Sequence, residues 1–564
     1  MTERLDRAAA KDEEIRALQR ETAEKGRESQ LLRRRLATEG RRVCSLERAV
    51  AEQEQKLRQL QATVDWCSSE LEAIHRTRGY RWLNRARAFR DEFVRGTNSS
   101  RKNYLRRVAA KLLPIRPPDP EPITEPDPAH PFSVFKRQLS NGLPLQLQEV
   151  GHACLKGLVS IVLPVHNQAD LVAAGIDSVL AQTYRRLELI IVNDGSTDGL
   201  EKVLARYEDP RLRIIHQENQ KLPAALSTGF RIAKGEFYTW TSADNILLPD
   251  VLAAQVAFLR RHPRVQMVYG NYRIIGADGK PLLNAEHFRD AYQQPPGSDA
   301  IHLPRDPSHL NNTLNNYIMC SFMYRGWMGR LLGDYLPGGE TVEDYDYWMR
   351  INAFFNIRHI AQPDCRYLYR VHDRSLTGQA EELGIVPKAH KLMAVERWRQ
   401  GFYLQPFRVA IWVPDRSRNT SALADRLAGL LRDAGHEVMR IRGPDEGTWR
   451  QRDGDKRLPL DKRLLLAVSC GGRRRASLGL RLGGTDNCVV GVIGGSAALP
   501  TAWVEEADFS FCKRGRFARE AGRGNPLPLF VVDRPESALY PMLCAANNRL
   551  ATQRLSKGWE DVLR

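Results

Sequence analysis

Three short polar clusters, each close behind an apolar run or a glycine-rich stretch, hold the residue types from which chemistry could be built. The first is Asn193-Asp194-Gly195-Ser196-Thr197-Asp198. A carboxylate at Asp194 can accept hydrogen bonds from a nucleobase or a ribose; the same residues also read as a turn in which Asp198 caps the next helix. The second is Thr241-Ser242-Ala243-Asp244-Asn245. A carboxylate there can hold a hard divalent cation, whose oxygen shell is usually completed by phosphate. The third, Glu343-Asp344-Tyr345-Asp346-Tyr347-Trp348, is a dense acidic opening of a helix after the glycine-rich stretch 333–339. The helix dipole alone favours acids in a first turn, so a catalytic and a merely stabilising role both remain open for them.

These clusters need elements to position them. Val159 to Val165 is short, β-branched and ended by His166-Asn167, which predicts a buried strand. Leu171, Ile176, Val179 and Leu180 fit a helix packed on it, and Leu189 to Val192 predicts a second buried strand. Strand, helix, strand implies a parallel pair with a right-handed crossover, and such sheets bind ligands at the carboxyl ends of their strands. The loops Pro164 to Asn167 and Asn193 to Asp198 both fall at that edge. Further strands are expected at Leu212–His216, Glu236–Trp240, Val265–Tyr269 and Arg358–Ile360. Helices are expected at Leu171–Ala181, Leu200–Tyr207, Leu222–Ala233, Leu252–His262 and Asp344–Phe354.

A second α/β unit begins after Gln405, with strands expected at Phe407–Val413 and His436–Ile441 around a helix at Ser421–Asp433. Four more apolar runs follow, at Leu464–Val468, Val489–Ile493, Phe509–Cys512 and Leu529–Val532. Gly491, Gly494 and Gly495 lack the spacing of a dinucleotide fingerprint and read as a tight turn.

At 564 residues the chain is too long for one core and calls for about three or four units. No apolar run approaches the roughly 18 residues needed to cross a bilayer, and the N-terminus is too polar for a signal peptide. Nine cysteines without a C-x-x-C pair argue against a disulfide framework or a zinc site and fit reduced cytosolic thiols. The net charge of +18 is concentrated between Arg76 and Arg116, where thirteen Lys and Arg residues face only Asp91 and Glu92.

Residues 1–75 keep one heptad register from Ile15 to Ile74, nearly all apolar from Val43 onward, which predicts a coiled coil and hence a homo-oligomer. In 76–113, Trp82, Ala86, Phe89 and Phe93 share a helical face flanked by Arg81, Arg85 and Arg87. A basic amphipathic helix of this kind suits an anionic membrane surface; contact with protein is the next reading, and nucleic acid is disfavoured because the aromatics form one apolar face. Residues 114–131 are a proline-rich acidic linker. A first globular domain over 132–400 and a C-terminal Rossmann-like α/β domain over 401–564 complete the expected organisation.

The stretch from Val159 to about Thr377, about two-fifths of the chain, resembles a family 2 glycosyltransferase of the GT-A fold. VSIVLPVHN, SVLAQTY, ELIIVNDGSTD, FYTWTSADNILLPDVL, and VEDYDYWMRI followed by YRVHDRSLT occur in that family's order and spacing. The resemblance implies an α/β GT-A (nucleotide-diphospho-sugar transferase) Rossmann-like domain. Pro164, Val165 and Asn167 would line the nucleotide site and Asp194 would contact the base. Asp244 matches the last, metal-binding acid of the family's Asp-x-Asp motif, Asp344 in the Glu343-Asp344 pair matches the catalytic base, and His372 matches a histidine near metal and diphosphate. Ser242 stands where the first acid of that motif belongs, and Asn245 where a further Asp is common, so the site carries less negative charge. Ser242 retains a hydroxyl suited to a ribose.

By the same resemblance the reaction is inverting transfer from a nucleotide sugar, taken as a UDP-sugar, with Mg²⁺ or Mn²⁺, to a hydroxyl of a glycan or lipid-linked acceptor in surface polysaccharide or O-antigen type assembly. The acceptor is expected over His302 to Leu336, where Asn311, Asn312, Asn315, Asn316, Tyr317 and Trp327 offer amide and aromatic groups. Processive members carry a Gln-x-x-Arg-Trp motif; Arg397-Trp398 here follows Ala394 where Gln is required, so single additions are expected. The expected location is cytoplasmic, peripheral on the inner face of the membrane. A GT-A domain that has lost catalysis and serves as a sugar-binding scaffold is the alternative that Ser242 keeps open.

Overall fold

In the computed structural model, which describes residues 127–283, 297–336, 341–360, 366–413, 417–441, 462–470, 488–494, 507–513 and 529–556, the long apolar run is a central strand. Contacts divide the chain into the units Met1–Pro120 and Glu121–Arg564, and every described residue belongs to the second. The heptad stretch 1–75, the basic segment 76–113 and the linker as far as residue 126 lie outside the described residues.

The chain enters through α1 (Pro131–Ser140) and a two-residue strand, β1 (Gly151–His152). It then alternates through β2 (Leu155–Val165), α2 (Val172–Leu180), β3 (Leu187–Asp194), α3 (Leu200–Leu204), β4 (Leu212–Gln217), α4 (Lys221–Ile232) and β5 (Gly235–Trp240). Next come β6 (Ile246–Leu247), α5 (Val251–Arg261), β7 (Met267–Gly270), β8 (Tyr272–Ile275), β9 (Ala300–Ile301), β10 (Phe322–Arg325) and α6 (Gly326–Leu332). Then follow α7 (Glu343–Phe354), β11 (Ile357–Ile360), β12 (Tyr367–Arg370) and the long α8 (Ile385–Leu404).

The first seven-stranded sheet has the order β11-β7-β10-β5-β2-β3-β4. Strands β4, β3, β2 and β5 are parallel, and β10 runs antiparallel between β5 and β7. Residues 158 to 165 of β2 and all of β3 are buried, as strands covered on both faces require. The order reverses at β2, whose neighbours are β3 on one side and β5 on the other. A crevice therefore opens at the carboxyl ends of β2 and β5, where parallel α/β sheets bind ligands. Strand β10 departs from the sequence reading: the stretch 302–336 reads as a polar acceptor loop, yet it supplies an inner strand and a buried helix, α6.

A small sheet, β6-β12-β8-β9, flanks this crevice. Beyond α8 the chain builds a second seven-stranded sheet from β13 (Phe407–Trp412), β14 (Glu437–Ile441), β15 (Lys462–Ser469), β16 (Cys488–Gly494), β17 (Phe509–Lys513) and β18 (Leu529–Val532), with α9 (Arg418–Asp433) after β13 and α10 (Leu539–Leu555) last. Its order is β1-β18-β17-β16-β15-β13-β14, parallel apart from β1, an α/β sheet of the expected class that lies in the same contact unit as the first sheet. One apolar cluster joins both sheets: Val159, Trp348, Phe402, Phe530 and Ala551 all belong to it. Among the described residues no helix is long and apolar enough to cross a membrane.

Helix α2 presses on the loop after β5 at Gly175, where an added Cβ would lie 2.8 Å from the Ala243 carbonyl oxygen. Gly→Ala inside a helix ordinarily gains roughly 1 kcal/mol. Here the obstacle is backbone, so overpacking of about 1–3 kcal/mol outweighs that gain. Gly175→Ala is expected to lower the denaturation midpoint and to weaken whatever the 241–245 loop binds; a stabilised variant would show that the loop yields freely.

Candidate active site

Four strand ends deliver the site. Because β2, β3 and β5 are parallel, Val165, Asp194 and Trp240 end at one edge of the sheet. Asp194 is buried, and its Oδ1 accepts from Gln217 Nε2 at 2.7 Å and from the Gln220 amide at 2.8 Å. The two loops expected to meet there are bonded to each other. His166 Nδ1 lies 2.8 Å from the Asp194 carbonyl oxygen, the Asn167 amide donates to Ser196 Oγ, and the Thr197 amide donates to Asn167 Oδ1 at 2.8 Å. Asp198, expected to cap the next helix, stands one residue before the actual N-cap, Gly199; its Oδ1 accepts from the Leu200 amide and its Oδ2 from the Ala169 amide of the other loop. Gly195 has φ of +72°, and a Cβ there would sit 2.7 Å from the Asn219 nitrogen, so the turn admits only glycine without distortion. Pro164 and Val165 are buried at the end of β2, with Asn167 beyond them at a φ of +54°.

The loop after β5 carries Ser242, half-buried, and Asp244, buried. Strand β12 pairs antiparallel with β6, Leu368 opposite Ile246, so the chain leaving β12 runs back past Asn245 and Asp244. That register brings His372 Nε2 to 3.0 Å from Asp244 Oδ2, although the two are 128 residues apart. Asp244 Oδ1 is buried without a hydrogen-bond partner among the described residues. Burial raises the Asp244 carboxyl above its ordinary range, and the His372 hydrogen bond only partly opposes this. Asn245, which stands where a further Asp is common, is buried, and its Oδ1 accepts from the Arg370 amide at 2.9 Å.

Three residues that sequence reasoning did not single out hold this loop. Gln182 is fully buried, donates through Nε2 to the Leu248 carbonyl at 2.8 Å, and accepts from the Leu252 amide. Ser178 Oγ accepts from the Leu247 amide. Arg370 donates to the carbonyls of Asp244, Gly276 and Ala277. All three lie inside stretches already quoted, SVLAQTY and YRVHDRSLT, and the signal available was a polar residue on an otherwise apolar face. Arg370→Met keeps the stem but orphans carbonyls, so unfolding free energy should drop by about 2–3 kcal/mol. Equal denaturation curves for variant and wild type would exclude this bracing role.

The third acidic cluster arrives on α7. Strand β10 runs antiparallel to β5, so the segment before it, Asn316 to Ser321, lies at the carboxyl edge. Asn316 Nδ2 donates to Asp344 Oδ2 at 2.8 Å, and the Tyr345 amide donates to Oδ1 at 2.7 Å. Burial outweighs both and lifts the Asp344 carboxyl to about 6. Glu343, the first residue of α7, is buried beside it. The Cys320 thiol, pushed up mainly by burial, is raised further by both Asp344 and Asp244, which puts the two carboxylates within electrostatic reach of one side chain. Among the amides and rings expected to meet an acceptor, only part faces this edge. Asn311 is fully buried, Tyr317 packs against Tyr269 and Trp327 against Phe355, so these three are core; Asn312 is exposed, and Asn315 and Asn316 are half-buried.

Asp244 and His372 offer one oxygen and one nitrogen ligand, with Asp244 Oδ1 still to be satisfied. That set fits a hard divalent cation that takes one or two protein groups and fills its shell from phosphate and water. Among the described residues no group of three or more His, Cys, Asp or Glu side chains forms a complete cage. The edge thus combines the polar turn around Asp194, the Asp244–His372 pair and a carboxylate raised to about 6.

The family model for glycosyl transferase family 2 matches residues 160–327. An uncharacterised glycosyltransferase of Rickettsia felis is 34% identical over 200 residues, 34% of this chain and 31% of that protein, so the chain spans about a third of that relative's length. An uncharacterised glycosyltransferase of Rickettsia typhi is 38% identical over 227 residues, 40% of this chain and 67% of that protein. The UDP-Glc:alpha-D-GlcNAc-diphosphoundecaprenol beta-1,3-glucosyltransferase WfgD of Escherichia coli is 33% identical over 119 residues, 21% of this chain and 47% of that protein. The matched region contains the second half of β2, all of β3 and β5 and the loops that carry Asp194 and Asp244, and on that likeness the chain belongs to glycosyl transferase family 2.

Proposed function

We propose that this chain moves a sugar from a nucleoside-diphosphate donor to a hydroxyl of a glycan or lipid-linked acceptor, with inversion at the anomeric carbon. The observation that carries this reading is the convergence at one sheet edge of Asp194, the Asp244–His372 pair and Asp344.

Asp194, with one oxygen already bonded to Gln217 and Gln220, presents the other to an N–H donor of the base. Pro164, Val165 and Asn167 form the floor of that crevice, and the Ser242 hydroxyl reaches toward the ribose. Asp244 and His372 hold Mg²⁺ or Mn²⁺. When bound, the cation supplies charge neutralisation for the departing diphosphate. Asp344 accepts the proton of the acceptor hydroxyl as its oxygen attacks the face of the sugar opposite the leaving group. A carboxyl raised to about 6 is a stronger base than an ordinary aspartate yet still ionised at neutral pH, which suits that task. Glu343 stands beside it in the same first helical turn.

The donor assigned is a UDP-sugar and the acceptor a lipid-linked glycan, as the name of WfgD states for that enzyme. Residues 1–75 would oligomerise the protein and 76–113 would bring it to an anionic membrane surface, peripheral on the cytoplasmic side, where such an acceptor lies.

A panel of nucleotide sugars, incubated with full-length protein and a diphosphoundecaprenol-linked sugar as acceptor, with and without Mn²⁺, and monitored for nucleoside diphosphate, tests the proposal. Mn²⁺-stimulated release from one UDP-sugar is the expected result. Thermal stabilisation by a nucleotide sugar with no release under any condition would instead favour the non-catalytic scaffold, for which Ser242 is the supporting residue.

A further inference from the structure

Helix α8 reaches the region around Asp344 by two routes that start one turn apart. Arg399 pairs with Asp346, two residues beyond Asp344 on α7, and Asp346 also accepts from Arg350 at 3.0 Å. Glu396, 3.6 Å from Arg399, accepts from Asn311 Nδ2 at 2.6 Å. Asn311 Nδ2 donates as well to the Met349 carbonyl on α7, and Asn311 Oδ1 accepts from Asn352 Nδ2 at 2.8 Å. Asn311, Asp346, Arg350, Glu396 and Arg399 are each at most 1% exposed. Two acids and two arginines form a neutral set, and an amide fastens it to the segment that carries Asn316. None of the five has a part in the transfer chemistry proposed above.

Burying so many polar groups is costly unless each is held in place. The directional part runs through Asn311, Asn352 and the Arg350–Asp346 bond, whereas Arg399 meets Asp346 and Glu396 as an ion pair with no hydrogen bond on its guanidinium nitrogens among the described residues. Asn311 sits between α7 and α8 and is five residues before Asn316, whose amide donates to Asp344. The Tyr345 hydroxyl, on the residue after Asp344, donates to the Leu310 carbonyl next to Asn311 at 3.1 Å. The segment 310–316 is therefore pinned at its start to the same helix whose first turn it meets at its end. We propose that Asn311, clamped by Glu396 and Asn352, is a positioning residue that fixes the Asn316 segment so that Asn316 donates to the Asp344 carboxylate. The catalytic consequence rests on the reading of Asp344 as the base; the clamp itself does not.

Asn316 favours the ionised carboxylate, so loosening Asn311 should make Asp344 keep its proton to higher pH. The other groups facing Asp344 are Glu343 beside it, the Cys320 thiol from before β10, the Tyr335 phenol from after α6, and Asp244 across Cys320. Thiol and phenol are both raised by burial and stay neutral in the range concerned, and both acids are left in place in every variant below.

The test compares thermal midpoints of the full chain and its Asp344→Asn variant from pH 4.5 to 8, since their difference locates the ionisation of Asp344. The same pair is measured in Asn311→Ala and in Asn316→Ala backgrounds, with Asn311→Ser, which keeps one donor, if the alanine variant does not fold. Both backgrounds should move the wild-type transition upward by about one pH unit. With UDP-glucose and Mn²⁺, or whichever UDP-sugar is turned over, kcat at neutral pH should fall on the order of tenfold in Asn311→Ala with the donor KM little changed. A transition left at its wild-type pH in Asn311→Ala, however far the midpoint itself drops, overturns the proposal, and so does an unmoved transition in Asn316→Ala. A shifted transition in a protein that turns over no nucleotide sugar would uphold the clamp and overturn the transferase reading.

Discussion

Asp344→Asn is expected to silence turnover and, above about pH 6, to make the protein more stable than wild type. The first effect follows from removing the proton acceptor, which is typically worth about 10²- to 10⁴-fold. The second follows from burial. The carboxyl is raised from near 3.8 to about 6, so the folded state holds its proton more tightly than the unfolded chain does. Its favourable contribution is complete below the unfolded value and is lost as pH rises through about 6. At pH 7 the wild type thus carries a buried charge whose cost the Asn variant escapes, on the order of 1–3 kcal/mol once the lost carboxylate hydrogen bonds are set against it. Activity and stability are traded at this residue. Chemical denaturation at pH 4 and pH 7.5, paired with the nucleotide-release assay, checks both halves. At pH 4 the two proteins should nearly coincide. An Asn variant that turns over normally would remove Asp344 from the mechanism, and one less stable at pH 7.5 would show that Asn316 and the helix N-terminus outweigh burial.

The wild-type rate should carry the same signature. The base must be ionised, so kcat should fall toward acid with a midpoint near pH 6 rather than near the ordinary aspartate value. Nothing in the local sequence distinguishes Asp344 from Asp346 in this respect, since both lie in the first turn of α7. Their environments separate them. At Asp346 burial also pushes upward, but Arg399 and Arg350 overcome it and leave the carboxyl below the ordinary range. One acid is thereby spent on structure and the other is left raised at the site.

That contrast marks what the chain reveals before folding. Strands β2 and β3 were legible because each is a β-branched apolar run closed by polar turn residues, β4 and β5 as short runs with isoleucine or aromatic residues between helical segments, and the periodicity of the intervening segments gave their helices. Strand β10 was not, because Phe322–Arg325 is a four-residue piece of a longer apolar stretch, Tyr317 to Met328, with neither period-2 alternation nor a glycine or proline just before it to mark its start. Its place in the sheet is fixed by pairing with Tyr238 and Tyr269, partners remote in sequence. Asn311 shows the same limit: as a sequence it was one amide among four suited to a sugar, and only the packing of α7 against α8 makes it a buried clamp. Asp194, Asp244, Asp344 and His372 could be named in advance through the family's motifs. The approach of His372 to Asp244, and of the Asn316 segment to the carboxyl edge beside Asp344, depends on two antiparallel pairings, β12 on β6 and β10 on β5, that no local pattern encodes.

Asp244→Asn should uncouple the protein from Mn²⁺ while leaving its fold intact. The substitution keeps the size of the side chain and a group able to hydrogen-bond His372, so the antiparallel contact between β12 and β6 need not change. What it removes is the charge on a buried carboxylate whose Oδ1 has no partner among the described residues. A carboxyl raised by burial costs stability when ionised, and a cation bound to it reverses that cost, so wild type should gain from Mn²⁺ by mass action. With free metal at 100 times its dissociation constant that gain is about 2.7 kcal/mol, and it should vanish in the variant. Nucleotide release should fall on the order of 10²- to 10³-fold, the equivalent of the several kcal/mol by which a metal stabilises developing charge on a diphosphate. Ser242→Asp makes the complementary case. It restores a second acid on the same loop, two residues from Asp244, and should tighten Mn²⁺ binding without needing His372 to move. Thermal shifts titrated with Mn²⁺ in wild type and both variants decide the matter. An Asp244→Asn protein that still responds as wild type does would move the metal away from this loop. A graded response, weakest without the Asp244 carboxylate and strongest with the added acid, would tie metal affinity to the number of carboxylates that the β5 loop presents.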